Sequence, residues 1–264
     1  MIKVRPTAVA GRFYHSDAAT LRAELDGWLE PLPADPSIRA IVVPHAGYQF
    51  SGKVAAQAYR YIRALGERVR RVILVGPAHT MAFDGLALPS ADLFVTPLGN
   101  VEIDKSLVAK LRDEPKVTVY DLPHAKEHCL EVQLPFLQQA LGQFSLLPLL
   151  YSRVTPWYLE EMMAKVWDPA DTLLVISSDL SHYHEYDEAC GLDARSMAMI
   201  EEGVPRLTPQ QACGATGINA LLHLAQHRGW QFERLDYQNS GDTGGNKQRV
   251  VGYVSYVVRE VQPV

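Results

Sequence analysis

The chain has only three cysteines, Cys129, Cys190 and Cys213, in 264 residues. That is too few for a disulfide framework and suits a reducing compartment. It also lacks an excess of positive charge. A net charge of −5 gives no basis for nucleic-acid binding, whose proteins carry a basic patch. No apolar run reaches membrane-spanning length, and the opening "MIKVRPTAVAGRFYHSD" has no signal-peptide h-region. Internal repeats, low-complexity tracts and linkers rich in Pro, Gly and Ser are missing too. The loop "SGDTGG" is no phosphate site, because it lacks a strand-to-helix setting and the Lys-Ser/Thr ending of a P-loop. What remains is the expectation of one soluble cytoplasmic domain over residues 1–264. With 47% hydrophobic and 21% charged residues, it can bury a full core.

Apolar runs alternate with helical stretches along that length. Strands are expected at Ile38–Val43, at Val72–Val75, and in "KVTVYDL", "FSLLPLLY" and "DTLLVISSD". A helix is expected from about Lys53 to Leu65, and another from an Asp104 N-cap to about Leu111. Further helices fall near Thr155–Pro156, over Glu185–Glu202 and over Gly217–Gln226. "EHCLEVQLPFLQQAL" reads as one amphipathic helix kinked at Pro135. "WQFERLDYQNS" and "RVVGYVSYVV" close the chain as two strands, which can be antiparallel. The fold class is α/β: a single-domain, mixed but mostly parallel sheet with helices on both faces.

Three of the strands run into unusual polar loops. "IRAIVV" leads into Pro44-His45-Ala46-Gly47-Tyr48, "RVILV" into Gly76-Pro77-Ala78-His79, and "TLLVI" into Ser177-Ser178-Asp179-Leu180-Ser181-His182-Tyr183-His184. Parallel sheets bind ligands at the carboxyl ends of their strands, so His45, His79, Asp179 and His182 can converge. "PHAKEHCLEVQLPF" adds His128 as a further catalytic candidate. On one helix, the i, i+3 spacing of His128 and Glu131 and the i, i+4 spacing of Glu127 and Glu131 would let them face one way. "ACGATGINAL" adds Cys213 near a helix start, where a thiolate is favoured and can serve as soft metal ligand or nucleophile.

Each residue also has an ordinary explanation. A lone histidine after a strand more often fixes its loop than binds a ligand, and only the matching placement of His45 and His79 tips the balance. Asp179 is about as well explained as the cap of the next helix. His184 is hardly separable from His182. Cys213 can be a buried packing residue, as Cys129 and Cys190 are expected to be. His223 and His227 are read as structural or surface residues.

Six ordered motifs carry a resemblance: "RPTAVAGRFY", "VVPHAGYQFSG", "ILVGPAH", "EHCLEVQLPFL", "SSDLSHY" and "ACGATGINALL". Together they resemble the Memo family, whose prokaryotic members are called AmmeMemoRadiSam system protein B and whose animal members are mediators of cell motility. The resemblance implies a fold like that of the class III, LigB-type extradiol dioxygenases. It implies that His45 and His79 are metal ligands and that Cys213 completes the site where those dioxygenases use a glutamate. It implies an acid/base role for His182, with Asp179 close by. Fe(II) is the ion expected from the dioxygenases, and the thiolate opens the site to copper or zinc. A radical-SAM protein and an Ammecr-type protein are the partners the family name suggests.

Three functions compete. The leading expectation is a metal-dependent, non-haem iron oxidoreductase acting on a catechol or aminophenol-like small aromatic substrate. The alternative is a non-catalytic module that holds redox-active copper or iron, or that binds a peptide or partner protein in the same cleft. Thiol hydrolysis by Cys213 with His182 and Asp179 ranks last, because it leaves His45 and His79 without a role.

Overall fold

Apolar runs without polar alternation become the middle of one sheet. The computed structural model describes residues 2–261. The first part of the chain contributes β1 (Val4–Arg5), α1 (Ala18–Trp28), β2 (Ile38–Val43), α2 (Tyr48–Leu65) and β3 (Arg71–Pro77). The middle contributes β4 (Leu86–Leu88), β5 (Leu93–Thr96), β6 (Gly99–Ile103), α3 (Lys105–Leu111), β7 (Val117–Val119), α4 (Asp121–Ala125), α5 (Leu134–Leu141) and β8 (Ser145–Tyr151). The last part contributes α6 (Pro156–Val166), β9 (Thr172–Ser177), β10 (His182–His184), α7 (Tyr186–Glu201), α8 (Ala215–Arg228), β11 (Trp230–Asn239) and β12 (Val250–Glu260).

The strand order is β1-β5-β6-β8-β3-β9-β2-β12-β10, with β11 also paired to β12 and β4 paired to β7 and β8. The four central strands β8, β3, β9 and β2 are parallel. β12 runs antiparallel to β2 and β11, so the sheet is mixed as expected. Successive residues of each central strand enter different cores. Ile41, Val43, Val72, Leu74, Leu173 and Val175 pack with α1, α2 and α5. Ala40, Val42, Ile73, Val75, Leu174 and Ile176 pack with α6 and α8 on the other face. This two-sided burial is why those runs are continuously apolar.

Two sequence expectations fail here. Helix α2 starts at Tyr48 rather than near Lys53, because the turn through Gly47 feeds straight into it. "EHCLEVQLPFLQQAL" is not one kinked helix. Glu131–Gln133 is a single 3₁₀ turn, α5 begins at Leu134, and Pro135 stands in its first turn, where its missing N–H costs nothing. His128 and Cys129 therefore lie in a loop, and Glu127 and Glu131 face different partners.

Glu131 is structural. Its buried carboxylate accepts from the Ala8 and Val9 N–H groups at 2.7 and 3.0 Å and from the Tyr14 hydroxyl at 2.7 Å, and it pairs with buried Arg5. Arg5 also donates to the carbonyls of Glu127, at 2.7 Å, and His124, at 3.1 Å. The "RPTAVAGRFY" segment is thus tied to the loop that carries His128. His124 is buried on α4, its Nε2 meeting the Ala87 carbonyl at 3.0 Å, and burial pushes its pKa down to about 4. The unfolded chain takes up that proton near pH 6.5, so the stability His124 provides is complete above pH 6.5. It is lost as the pH falls toward 4, by roughly 3 kcal/mol. Urea unfolding at a series of pH values should show this loss, and His124→Gln should flatten that part of the profile.

Candidate functional site

Strands β3, β9 and β2 are parallel neighbours, so the loops that follow them open at one edge of the sheet. The loop after β2 places His45 in a fully enclosed position, its own N–H donating to Asp179 Oδ1 at 2.8 Å. Its Nδ1 meets Ser177 Oγ at 3.0 Å, and its Nε2 lies 3.3 Å from Cys213 Sγ. Burial pushes the His45 imidazole well below its usual pKa, and His79 and His128 nearby reinforce that. The ring is therefore neutral at physiological pH.

His79, after β3, and His128 are set by one carboxylate. Glu127 is buried and accepts the His79 N–H at 2.6 Å, the His128 N–H at 2.9 Å and the Cys129 N–H at 3.1 Å. It also takes His79 Nδ1 at 2.9 Å and His128 Nδ1 at 3.1 Å. Burial pushes its carboxyl up, but the hydrogen bonds from His128 and His79 outweigh burial and hold it far below the usual carboxylate range. An ionised carboxylate only accepts, so both rings present Nδ1–H to it, and Nε2 is the nitrogen left for any other partner. The rings of His45, His79 and His128 lie 4.8 to 5.3 Å apart between centroids. One ring nitrogen from each of the three falls within 4.8 Å of the others.

Cys213 reaches this cluster from the turn before α8. Gly214, the N-cap of that helix, packs so closely that a Cβ would stand 2.4 Å from the Ser178 Cβ, and its N–H donates to Ser178 Oγ at 2.9 Å. The helix start does not produce a ready thiolate. Burial pushes the Cys213 thiol well up, the Asp179 carboxylate adds to this, and the Asp179 N–H donated to the sulfur at 3.3 Å offsets only part. A second grouping, His79, Glu127 and Cys129, is also close enough to hold an ion. There the buried Cys129 thiol donates to the Pro77 carbonyl at 3.2 Å and Glu127 is already committed, so the chemistry favours the first cluster.

Asp179 does not cap a helix. The next helix, α7, starts at Tyr186 after Glu185, and the buried Asp179 carboxyl, pushed up by its burial, holds the His45 backbone instead. His182 stands on the cleft wall with Nδ1 2.8 Å from the Leu180 carbonyl, to which it must donate, so Nε2 is the nitrogen left for another partner. Tyr183 beside it sits at φ +64°, a left-handed conformation that few non-glycine residues take and that marks local strain. His184 lines the same cleft, with Nδ1 tied to Glu188 at 3.2 Å.

One cleft of about 650 Å³ brings together His45, His79, His128, Asp179, His182 and Cys213, with Phe13, Phe50 and Tyr253 on its walls. Sequence reasoning missed two buried carboxylates behind it. Glu127 stood in the right motif, but helical spacing matched it to Glu131. Asp193 of α7 accepts the Ser181 N–H at 3.0 Å and the Tyr237 hydroxyl at 2.9 Å, and a Cβ on Gly252 would come within 2.0 Å of its Oδ2. It anchors the loop that carries His182, and a single helical Asp gives no local signal of that.

Comparison with known proteins matches residues 5–257 to the family described as Memo-like protein. The chain belongs to the Memo family. It is 34% identical to a MEMO1 family protein of Sulfolobus acidocaldarius, covering 96% of this chain and 98% of that one. A MEMO1 family protein of Aquifex aeolicus is 35% identical, with coverage of 97% and 99%. The crystal structure of an uncharacterized Escherichia coli K12 protein superposes with a TM-score of 0.50 at 13% identity, over 83% of this chain and 99% of that one, a likeness of fold alone. Among the described residues of this Memo protein, no helix is long and apolar enough to cross a membrane.

Glu127→Gln should lower stability by about 3 kcal/mol, because the amide puts a second donor among N–H groups that all need an acceptor. The midpoint of urea unfolding reads this directly, and an unchanged midpoint would show that the carboxylate is not what holds the loop.

Proposed function

We propose that this cleft is a mononuclear metal centre, with His45, His79 and Cys213 as ligands, in an oxidoreductase of the extradiol-dioxygenase type. Its substrate is a catechol or aminophenol-like small aromatic. The observation that carries the reading is the convergence of imidazole nitrogens from His45, His79 and His128, with the Cys213 thiol beside His45, at the carboxyl edge of a parallel sheet. The donors fit a divalent transition metal. Three of the imidazoles have Nδ1 held by a second partner, which leaves Nε2 as the nitrogen for an ion, as in ligating histidines. His45 and Cys213 already bring nitrogen and sulfur to 3.3 Å. Fe(II) is the ion proposed, and the thiolate makes copper and zinc the competitors that metal analysis must score.

A bound metal would supply a Lewis acid and a one-electron couple beside the substrate. The remaining work falls to the chain. His182 Nε2 is placed to take a hydroxyl proton from the aromatic ring, and His128 offers a second lone pair on the same wall. Asp179 keeps the His45 backbone in place through its hydrogen bond. Phe13, Phe50 and Tyr253 give the ring an apolar seat and exclude water. In the overall reaction both atoms of dioxygen enter the ring-opened product, so no further reductant is needed.

Protein reconstituted anaerobically with Fe(II) should convert at least one member of a broad diol and aminophenol panel to a ring-opened product on admitting oxygen. His182→Gln should lower that rate by about 10²-fold or more while leaving the metal content unchanged. Stoichiometric metal with no product from the whole panel would sink the catalytic reading and favour a module that only holds the metal. Cys213→Ser should weaken copper and zinc binding more than Fe(II) binding, as competition titrations would show.

A further inference from the structure

His45 differs from His79, His128 and His182 in what holds its Nδ1. Glu127 and the Leu180 carbonyl can only accept, whereas Ser177 Oγ can donate or accept. The direction of that bond is decided further back, by buried residues to which the proposed chemistry gives no role. Gln133, of the 3₁₀ turn before α5, has its amide between three groups. Its Nε2 lies 2.9 Å from the Pro44 carbonyl and 3.0 Å from Ser177 Oγ, and its Oε1 lies 2.9 Å from the Tyr59 hydroxyl. The Pro44 carbonyl has nothing to donate, so the amide nitrogen must be the group that faces it. That orientation makes Gln133 the donor to Ser177 and Tyr59 the donor to Gln133.

Ser177 Oγ also lies 2.6 Å from the Cys129 carbonyl, which again only accepts. The single hydroxyl proton of Ser177 goes there. Its two lone pairs are left for Gln133 and His45, and His45 must donate to fill the second. We infer that Ser177 and Gln133, backed by Tyr59, are positioning residues that fix His45 as the Nδ1–H tautomer and aim its bare Nε2 at Cys213. The opposite tautomer would turn the Ser177 proton toward His45 and strand the buried Cys129 carbonyl, which disfavours it by about tenfold or more.

The tautomer follows from the hydrogen bonds alone, while its purpose, a ligand nitrogen prepared before the ion arrives, rests on the metal-centre reading above. Pro44, Cys129 and Gln133 come from two separate motifs. "VVPHAGY" supplies the carbonyl that orients the glutamine, and "EHCLEVQLPFL" supplies the glutamine and the carbonyl that orients the serine.

The test uses the metal-free chain of 264 residues labelled with ¹⁵N-histidine at pH 7.5, with the His45 signals assigned by their loss in His45→Asn. Two-bond proton–nitrogen correlations should show a protonated Nδ1 and a bare Nε2 in the native protein. In Ser177→Ala the Nε2–H form should appear, and Zn(II) affinity measured by chelator competition should fall about 10- to 100-fold. Gln133→Met, which leaves the serine in place, should shift the tautomer in the same direction. A His45 ring protonated on Nε2 in the native protein would overturn the inference, and so would a spectrum unchanged in Ser177→Ala. The native spectrum decides the tautomer even if a variant does not fold. A native Nδ1–H tautomer in a protein that binds no Zn(II) would uphold the hydrogen-bond assignment and overturn the metal-centre reading.

Discussion

The buried Glu127 carboxylate is the constraint on which the site is built. It gathers three backbone N–H groups and two imidazole N–H groups. A carboxylate in that position is costly unless every lone pair is used, and here the surplus of donors is what keeps it ionised. The loops after β3 and before α5 therefore have no freedom to separate. His79 and His128 both turn Nδ1 toward this one group. Arg5 extends the same constraint to the start of the chain, since it holds the Glu127 carbonyl and the Glu131 carboxylate together.

The second set of constraints comes from strand adjacency. β3, β9 and β2 are consecutive in the sheet although helices separate them in the chain. That adjacency brings His79, Asp179, His182 and His45 to one edge without any long-range recognition between the loops. Close backbone contacts finish the job. Gly214 against Ser178 and Gly252 against Asp193 leave no room for a side chain, so the Cys213 turn and the His182 loop each seat in a single position.

Much of this was legible in the residues. Continuous apolar runs gave the central strands, because burial on both faces removes polar alternation, and the Pro-His, Ala-His and Ser-Asp endings marked the edge where the cleft opens. Asp104 capped its helix as its position suggested. Other features were hidden for physical reasons. Pro135 was read as a kink because helical periodicity runs through it, whereas it starts the helix and leaves the preceding loop free to carry His128. Cys213 was read as an incipient thiolate from its place at a helix start, but burial and the Asp179 carboxylate outweigh the helix. Glu127, Asp193 and the hydrogen-bond partners of His45 act across the fold, and no local spacing announces them.

The position of β12 has a further consequence for how this protein comes into being. It pairs with β2, although most of the described elements lie between the two in sequence. Until β12 is in place, one flank of β2 is an open, apolar strand edge able to pair with other chains. The loop that carries His45 leaves from that same strand. Ordering of the cleft is thus coupled to a pairing between strands far apart in sequence, the kind of contact whose loop closure slows folding.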